Sequence, residues 1–306
     1  MLRIVFMGSP EFAVPCLEKL HNSKHEIIAV VSNPDKRRGR GNQTSPTPVK
    51  AKAVELGLKT IDAEDVKSEE FAKQLEALKP DLLVVVAFRI LPGKVLEIPA
   101  KGSINLHASL LPKYRGAAPI HWAVMNGETE TGCTVFFLND QVDTGNIISR
   151  VKTEIGANET TGDIYSRLMI LGSELLLDAV DQINSGNVAT EKQNDSEATP
   201  APKLFTEDAK IDFHLSAKHV HNKIRGLNPF PVAWCTYSNE KMNIYSSLVS
   251  DFSGLKPGEL KFTDQKLYAG CSDSAVELLE LQLPGKKRMS GIDFANGYDL
   301  LQLNQN

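Results

Sequence analysis

Asn105 and His107 stand two apart at the end of a mostly apolar stretch, Ser103–His107, that reads as a strand. The pleat turns residues i and i+2 to one face, so an amide and an imidazole can act on a single atom. At the carboxyl end of a strand in an open α/β sheet they would lie on the edge where such folds bind ligands. Taken alone, an Asn-x-His pair is more often a polar strand end. The loop that follows, Ser109-Leu110-Leu111-Pro112-Lys113-Tyr114-Arg115-Gly116-Ala117-Ala118-Pro119-Ile120, is unusually apolar. Packing would cover it, and so would a flat heterocyclic ligand. Further on, residues 132–145 run from a strand into Asp143-Thr144-Gly145, where Asp143 is equally a candidate for chemistry and a turn former.

The elements that would position these residues alternate. An apolar run at residues 3–7 reads as a strand, the Gly8-Ser9-Pro10 turn follows, and residues 11–21 have helical spacing. Glu26–Ser32 is the next strand, with helices at 49–58 and 68–79. Residues 81–87 form a nearly continuous apolar strand, as expected where both faces of a parallel sheet are covered. Strand Ser103–His107, a helix at Pro119–Met125, and strands at 134–138 and 147–152 complete an open α/β domain. In the long helix after them, Ile164, Leu168, Leu171, Leu175, Ala179 and Ile183 are spaced to form one core-facing stripe. Residues 186–202 are polar and carry two prolines, the composition of an interdomain linker. Beyond a helix at 216–226, five short strands at 233–237, 242–248, 259–262, 266–269 and 275–283 suggest a small β-barrel, OB-like among the options.

At 306 residues the chain exceeds one ordinary core, so two domains are expected, 1–188 and 208–306, joined by a linker at 189–207. The longest apolar run, 82–88, is far too short to cross a bilayer, and the N-terminal residues read as a strand rather than a signal peptide, which points to the cytoplasm. Cys16, Cys133, Cys235 and Cys271 are scattered without a Cys-x-x-Cys pair, so buried thiols are expected rather than a zinc ribbon or disulfide scaffold. His214, His219 and His221 lack metal-ligand spacing, and no metal is expected. Gly8-Ser9-Pro10-Glu11-Phe12 lacks the glycine pattern of a dinucleotide fingerprint. The net charge of -4 exerts no global pull on a polyanion. Any such partner must meet local basic segments. Two candidates are the long loop 33–48, with Lys36, Arg37, Arg38 and Arg40, and Lys286-Lys287-Arg288.

Together these segments resemble the formyltransferase family that uses 10-formyltetrahydrofolate, and within it the enzymes acting on methionyl-tRNA. The resemblance is carried by Gly8-Ser9-Pro10-Glu11-Phe12-Ala13, by Asn105-Leu106-His107, by residues 109–120 and 132–145, by Ile224-Arg225-Gly226-Leu227-Asn228-Pro229, and by residues 281–287. It implies a Rossmann-like, mostly parallel N-terminal domain, a smaller OB-like β-barrel C-terminal domain, and formyl transfer to the α-amino group of methionine on initiator tRNA, for translation initiation.

By the same resemblance Asn105, His107 and Asp143 are the catalytic residues, and only the resemblance brings Asp143 beside His107. It also implies that Ser109, Leu110, Leu111 and Pro112, with Phe88, Arg89, Ile90 and Leu91, border the folate. At 88–92 the chain departs from the family, many members of which have Tyr-Gly and one extra residue before Ile-Leu-Pro. The tRNA is implied to meet Arg37, Arg38 and Arg40 on an inserted loop and Lys286, Lys287 and Arg288 in the C-terminal domain. Asn42 and Gln43 stand where relatives often have lysines. A monomer is expected. The rival readings are a formyltransferase acting on a small amine and a noncatalytic RNA-binding protein in which the three residues coincide by accident.

Overall fold

The computed structural model describes residues 1–38 and 43–304. By contacts the chain divides into two compact units, the first made of Met1–Gly116, Gly132–Thr153 and Tyr165–Pro200. Its first strand, β1 (Arg3–Gly8), leads through a short 3-10 turn into α1 (Val14–His21), then β2 (Glu26–Ser32). Strands β3 (Lys36–Arg38) and β4 (Gln43–Ser45) form a separate antiparallel pair. Helix α2 (Pro48–Glu55) starts where the Thr47 hydroxyl accepts from Lys50 N–H, with proline at the first helical position. Strand β5 (Thr60–Asp62) precedes α3 (Glu69–Leu78), which Ser68 caps and Lys79, at φ 50°, ends.

Next come β6 (Leu82–Val86), the short α4 (Gly93–Leu96), β7 (Ser103–His107), α5 (Pro119–Met125), β8 (Glu130–Phe137), β9 (Ile147–Glu154) and α6 (Thr161–Ser185). The seven-stranded sheet runs β5-β2-β1-β6-β7-β8-β9. Pairings from β5 through β7 are parallel, and β8 joins β7 antiparallel. All five side chains of β6 are buried, as its unbroken Leu-Leu-Val-Val-Val run requires of a central parallel strand. The expected open, mostly parallel α/β architecture is what the chain adopts.

One register differs from expectation. On α6 the buried positions are Thr161, Ile164, Leu168, Gly172, Ser173, Leu176, Ala179, Val180 and Ile183, whereas Leu171 and Leu175 are only partly buried. Gly172 is the cause: a Cβ there would meet Leu106 at 2.9 Å and the Cys133 sulfur at 3.1 Å. The absent side chain lets the helix lie directly on β7 and β8, and the buried stripe shifts to run through it.

The second unit comprises Ala117–Thr131, Glu154–Ile164 and Ala201–Asn306. It contains α5, α7 (Ala217–Gly226), strands β10 (Ala233–Tyr237), β11 (Glu240–Ser250), β12 (Leu260–Thr263), β13 (Lys266–Gly270), β14 (Ala275–Gln282) and β15 (Met289–Ser290), and α8 (Gly291–Gly297). The strands form one antiparallel sheet in the order β10-β11-β14-β13-β12, with β15 against β14. Its core joins Val220, Ile224 and Leu227 from the α7 region to Met242, Ile244, Leu278, Leu281 and Phe294. Ser290 and Asp293 close a reciprocal capping box on α8.

Polar groups are also sealed into this unit. His221 donates from Nε2 to the Ala157 carbonyl at 3.1 Å and accepts at Nδ1 from the Ser247 hydroxyl at 3.1 Å. Burial, reinforced by the nearby Arg225 guanidinium and partly offset by those hydrogen bonds, holds its pKa below the ordinary imidazole value. A depressed histidine is neutral in the fold and titrates near 6.5 once unfolded, so its contribution is intact above about pH 6.5 and is lost as pH falls through the folded value. Thermal unfolding between about pH 7.5 and 5.5 should therefore show a steeper acid loss in the parent than in His221→Gln; identical pH slopes would remove His221 as a source.

All four cysteines are buried free thiols, and burial pushes that of Cys133 up to about 12. Among the described residues no helix is long and apolar enough to cross a membrane.

Candidate active site

The strand β7 pairs Asn105 with Val85 on one side and Phe136 on the other, and brings His107 opposite Thr134. As the pleat requires, Asn105 and His107 share a face. The Asn105 side chain is partly buried, and its amide makes no hydrogen bond to another described residue. His107, only 6 % exposed, has one nitrogen committed: Nε2 lies 2.8 Å from the Tyr114 carbonyl. Because a carbonyl only accepts, that bond fixes a hydrogen on Nε2 and leaves Nδ1 as the nitrogen available to accept a proton.

Asp143 faces that nitrogen. Its Oδ2 is 3.7 Å from His107 Nδ1 and accepts the Gly116 N–H at 2.8 Å. Across the gap two acceptor-capable atoms can share a donor placed about 2.8–3.0 Å from each, the separation of an ordinary N–H or O–H hydrogen bond. Asp143 reaches this place through a tight turn between β8 and β9. Its own φ is 55°, a conformation aspartate tolerates better than most side chains. Asn139 Oδ1 gathers Gln141 N–H and the Thr144 hydroxyl, each at 3.0 Å, and Gly145 passes so close to the Phe137 carbonyl that no Cβ fits.

The apolar loop after β7 is covered largely by the protein itself. Thr134, opposite His107, donates its hydroxyl to the Ser109 carbonyl at 2.7 Å and accepts from Leu111 N–H at 3.1 Å. Ser109 is fully buried, its hydroxyl on the Lys113 carbonyl, and Leu111 packs with Phe136 and Ile147. Leu110 and Pro112 retain partial exposure. Thr134 has only one signal in the sequence, a hydroxyl within the run 133–137, whose other residues are Cys, Val and Phe.

Residues 2–180 match the formyl transferase family model, and residues 203–299 match that of the formyl transferase C-terminal domain. The chain belongs to the formyl transferase family. A methionyl-tRNA formyltransferase of Chlorobium luteolum is 45% identical over 97% of both chains, and one from Macrococcus caseolyticus is 42% identical over 97% of this chain and 96% of its own. Among solved structures, an N-formyltransferase from Helicobacter canadensis, in complex with folinic acid and dTDP-3-aminofucose, shares the fold with a TM-score of 0.69 at 22% identity, covering 91% of this chain and 99% of that one.

In this formyl transferase the segment that departs from the family pattern leaves β6 through Ala87, at φ 48°. Phe88 is partly buried against the core, Arg89 donates to the Glu64 carbonyl at 3.1 Å, Leu91 is buried, and Ile90 is 71 % exposed. Of the basic residues, Lys286, Lys287 and Arg288 occupy the exposed turn between β14 and β15. The Arg288 guanidinium lies 3.6 Å from the Tyr245 ring centroid and 3.5 Å from the Glu280 carboxylate. Arg37 and Arg38 fall on β3, but their side chains, like all of Arg40, lie outside the described residues. Among the described residues no group of three His, Cys, Asp or Glu side chains is placed to hold a metal ion.

Proposed function

We propose that this chain transfers the formyl group of 10-formyltetrahydrofolate to the α-amino group of methionine esterified to initiator tRNA, as a cytoplasmic monomer. The observation that carries the reading is the gap between His107 Nδ1 and Asp143 Oδ2, with Asn105, whose amide bonds no other described residue, on the same strand face as His107, in a chain matched along 97% of its length by methionyl-tRNA formyltransferases. Residues 1–188 would carry the chemistry, 189–207 the connection and 208–306 the tRNA-binding surface.

In the proposed reaction the amine lone pair attacks the formyl carbon, and the carbonyl electrons move onto oxygen. Asn105 Nδ2–H and, when protonated, His107 Nδ1–H donate to that oxyanion. Asp143 holds the imidazole and relays the ammonium proton, through water, toward the departing folate nitrogen as the carbonyl re-forms. Neither step requires a metal. Phe88, Ile90, Leu110 and Pro112 would meet the folate directly, with Arg89, Leu91, Ser109 and Leu111 fixing them from below.

The deciding experiment supplies formyl folate with methionyl-tRNA or with small amines. Formylmethionyl-tRNA is the expected product; formylation of the small amines alone would transfer the chain to the rival reading, and no product at all would favour a noncatalytic RNA binder. Contacts from Lys286, Lys287, Arg288, Arg37, Arg38 and Arg40 to phosphates predict salt-sensitive tRNA affinity. Replacing Lys286 and Lys287 with alanine should flatten the log-affinity against log-salt slope by about one per lysine. Affinity indifferent to salt in the parent would exclude these contacts.

A further inference from the structure

The polar stretch after α6 lies along the first unit. Glu191 and Ile147 exchange backbone hydrogen bonds at 2.8 and 2.9 Å, and the Glu191 carboxylate takes two guanidinium N–H groups of Arg150 at 2.7 and 3.0 Å. Two residues on, Gln193 is 5 % exposed. Its Nε2 donates to the carbonyls of Asp143 and Gly145, both at 2.9 Å, and its Oε1 accepts from Arg115 Nε at 3.1 Å and Nη2 at 2.7 Å. Both amide hydrogens and the oxygen are thus engaged. Thr199 then accepts Tyr114 N–H through its hydroxyl and Arg115 N–H through its carbonyl, each at 2.9 Å.

These contacts converge on one pair. The Tyr114 peptide held by Thr199 offers its carbonyl to His107 Nε2, and the Gly116 N–H, one residue beyond Arg115, bonds Asp143 Oδ2. The left-handed backbone of Asp143 is a conformation that persists where the surroundings fix it, and the Gln193 amide fixes the carbonyls on either side of Thr144. We propose that Gln193 and Thr199 are positioning residues that set the separation between His107 Nδ1 and Asp143 Oδ2. The proposal rests on the reading of that pair as catalytic.

Steady-state formyl transfer to methionyl-tRNA tests it. Gln193→Met keeps the side-chain length without donors or oxygen, and is expected to lower kcat about 10- to 100-fold, since small misplacements of reacting groups have effects of that size. KM for both substrates should stay within about threefold, as expected when no ground-state contact is lost. Thr199→Val should lower kcat about tenfold, and Thr199→Ser, which retains the hydroxyl, should restore it. If Gln193→Met reduces the folded fraction, the Thr199→Val and Thr199→Ser pair decides. In an Asp143→Asn background Gln193→Met should remove little more, because both act on one group. An undiminished loss in that background, unchanged kcat in the single variants, or a loss confined to KM overturns the positioning role and leaves the catalytic pair standing. Turnover of Asp143→Asn near that of the parent is a different failure: it removes the catalytic reading, and the proposal with it.

Discussion

Asp143→Asn is expected to lower kcat for formyl transfer by roughly 10²- to 10⁴-fold while leaving formyl folate affinity near that of the parent. Asparagine has the same shape, so its carbonyl oxygen can still accept the Gly116 N–H that anchors the carboxylate at 2.8 Å. The turn is independently tied by Asn139 and Gln193, so it should not collapse. What disappears is the negative charge 3.7 Å from His107 Nδ1 and the capacity to carry a proton. The measurement is steady-state formylation alongside equilibrium binding of formyl folate. A kcat within about threefold of the parent would show that the carboxylate takes no part in the chemical step.

Asn105→Ala should be nearly as damaging to turnover and far gentler on the fold. Loss of one donor aimed at a developing oxyanion typically lowers kcat 10²- to 10³-fold, about 2.7–4 kcal/mol. The Asn105 amide bonds no other described residue, so its removal leaves no buried partner stranded. His107 differs in this respect. Truncating it removes the hydrogen bond to the Tyr114 carbonyl, at a cost of about 0.5–1.5 kcal/mol in stability, and mixes a folding effect with a catalytic one. Thermal melting and kcat/KM measured together separate the cases: Asn105→Ala should melt with the parent and fail in turnover. A variant that melts early but turns over normally would reverse the assignment.

Much of the scaffold was legible because the signals are local. The strands Glu26–Ser32 and Ser103–His107 and the helix Pro119–Met125 occupy the residues that their patterns mark. The long helix was legible in extent but not in register, because its buried stripe is set by what Gly172 touches on the sheet, and a hydrophobicity pattern scores glycine as nothing. The polar composition of 186–202 reads as an interdomain linker. Within it Glu191, Gln193 and Thr199 bond groups of the first unit, since such side chains serve water or a protein donor or acceptor equally well and composition cannot distinguish the two.

The same division holds for the candidate site. That Asn105 and His107 share a face follows from the sequence by itself, because alternation along a strand is a two-residue property of the backbone. That Asp143 stands beside His107, through Gly116 at a sequence separation of 27 and Gln193 at 50, was decided only by the tertiary structure. Contacts over such distances depend on how the strands order themselves and where the turn between β8 and β9 folds back. No local preference encodes that arrangement, and resemblance to relatives was the sole advance sign of it.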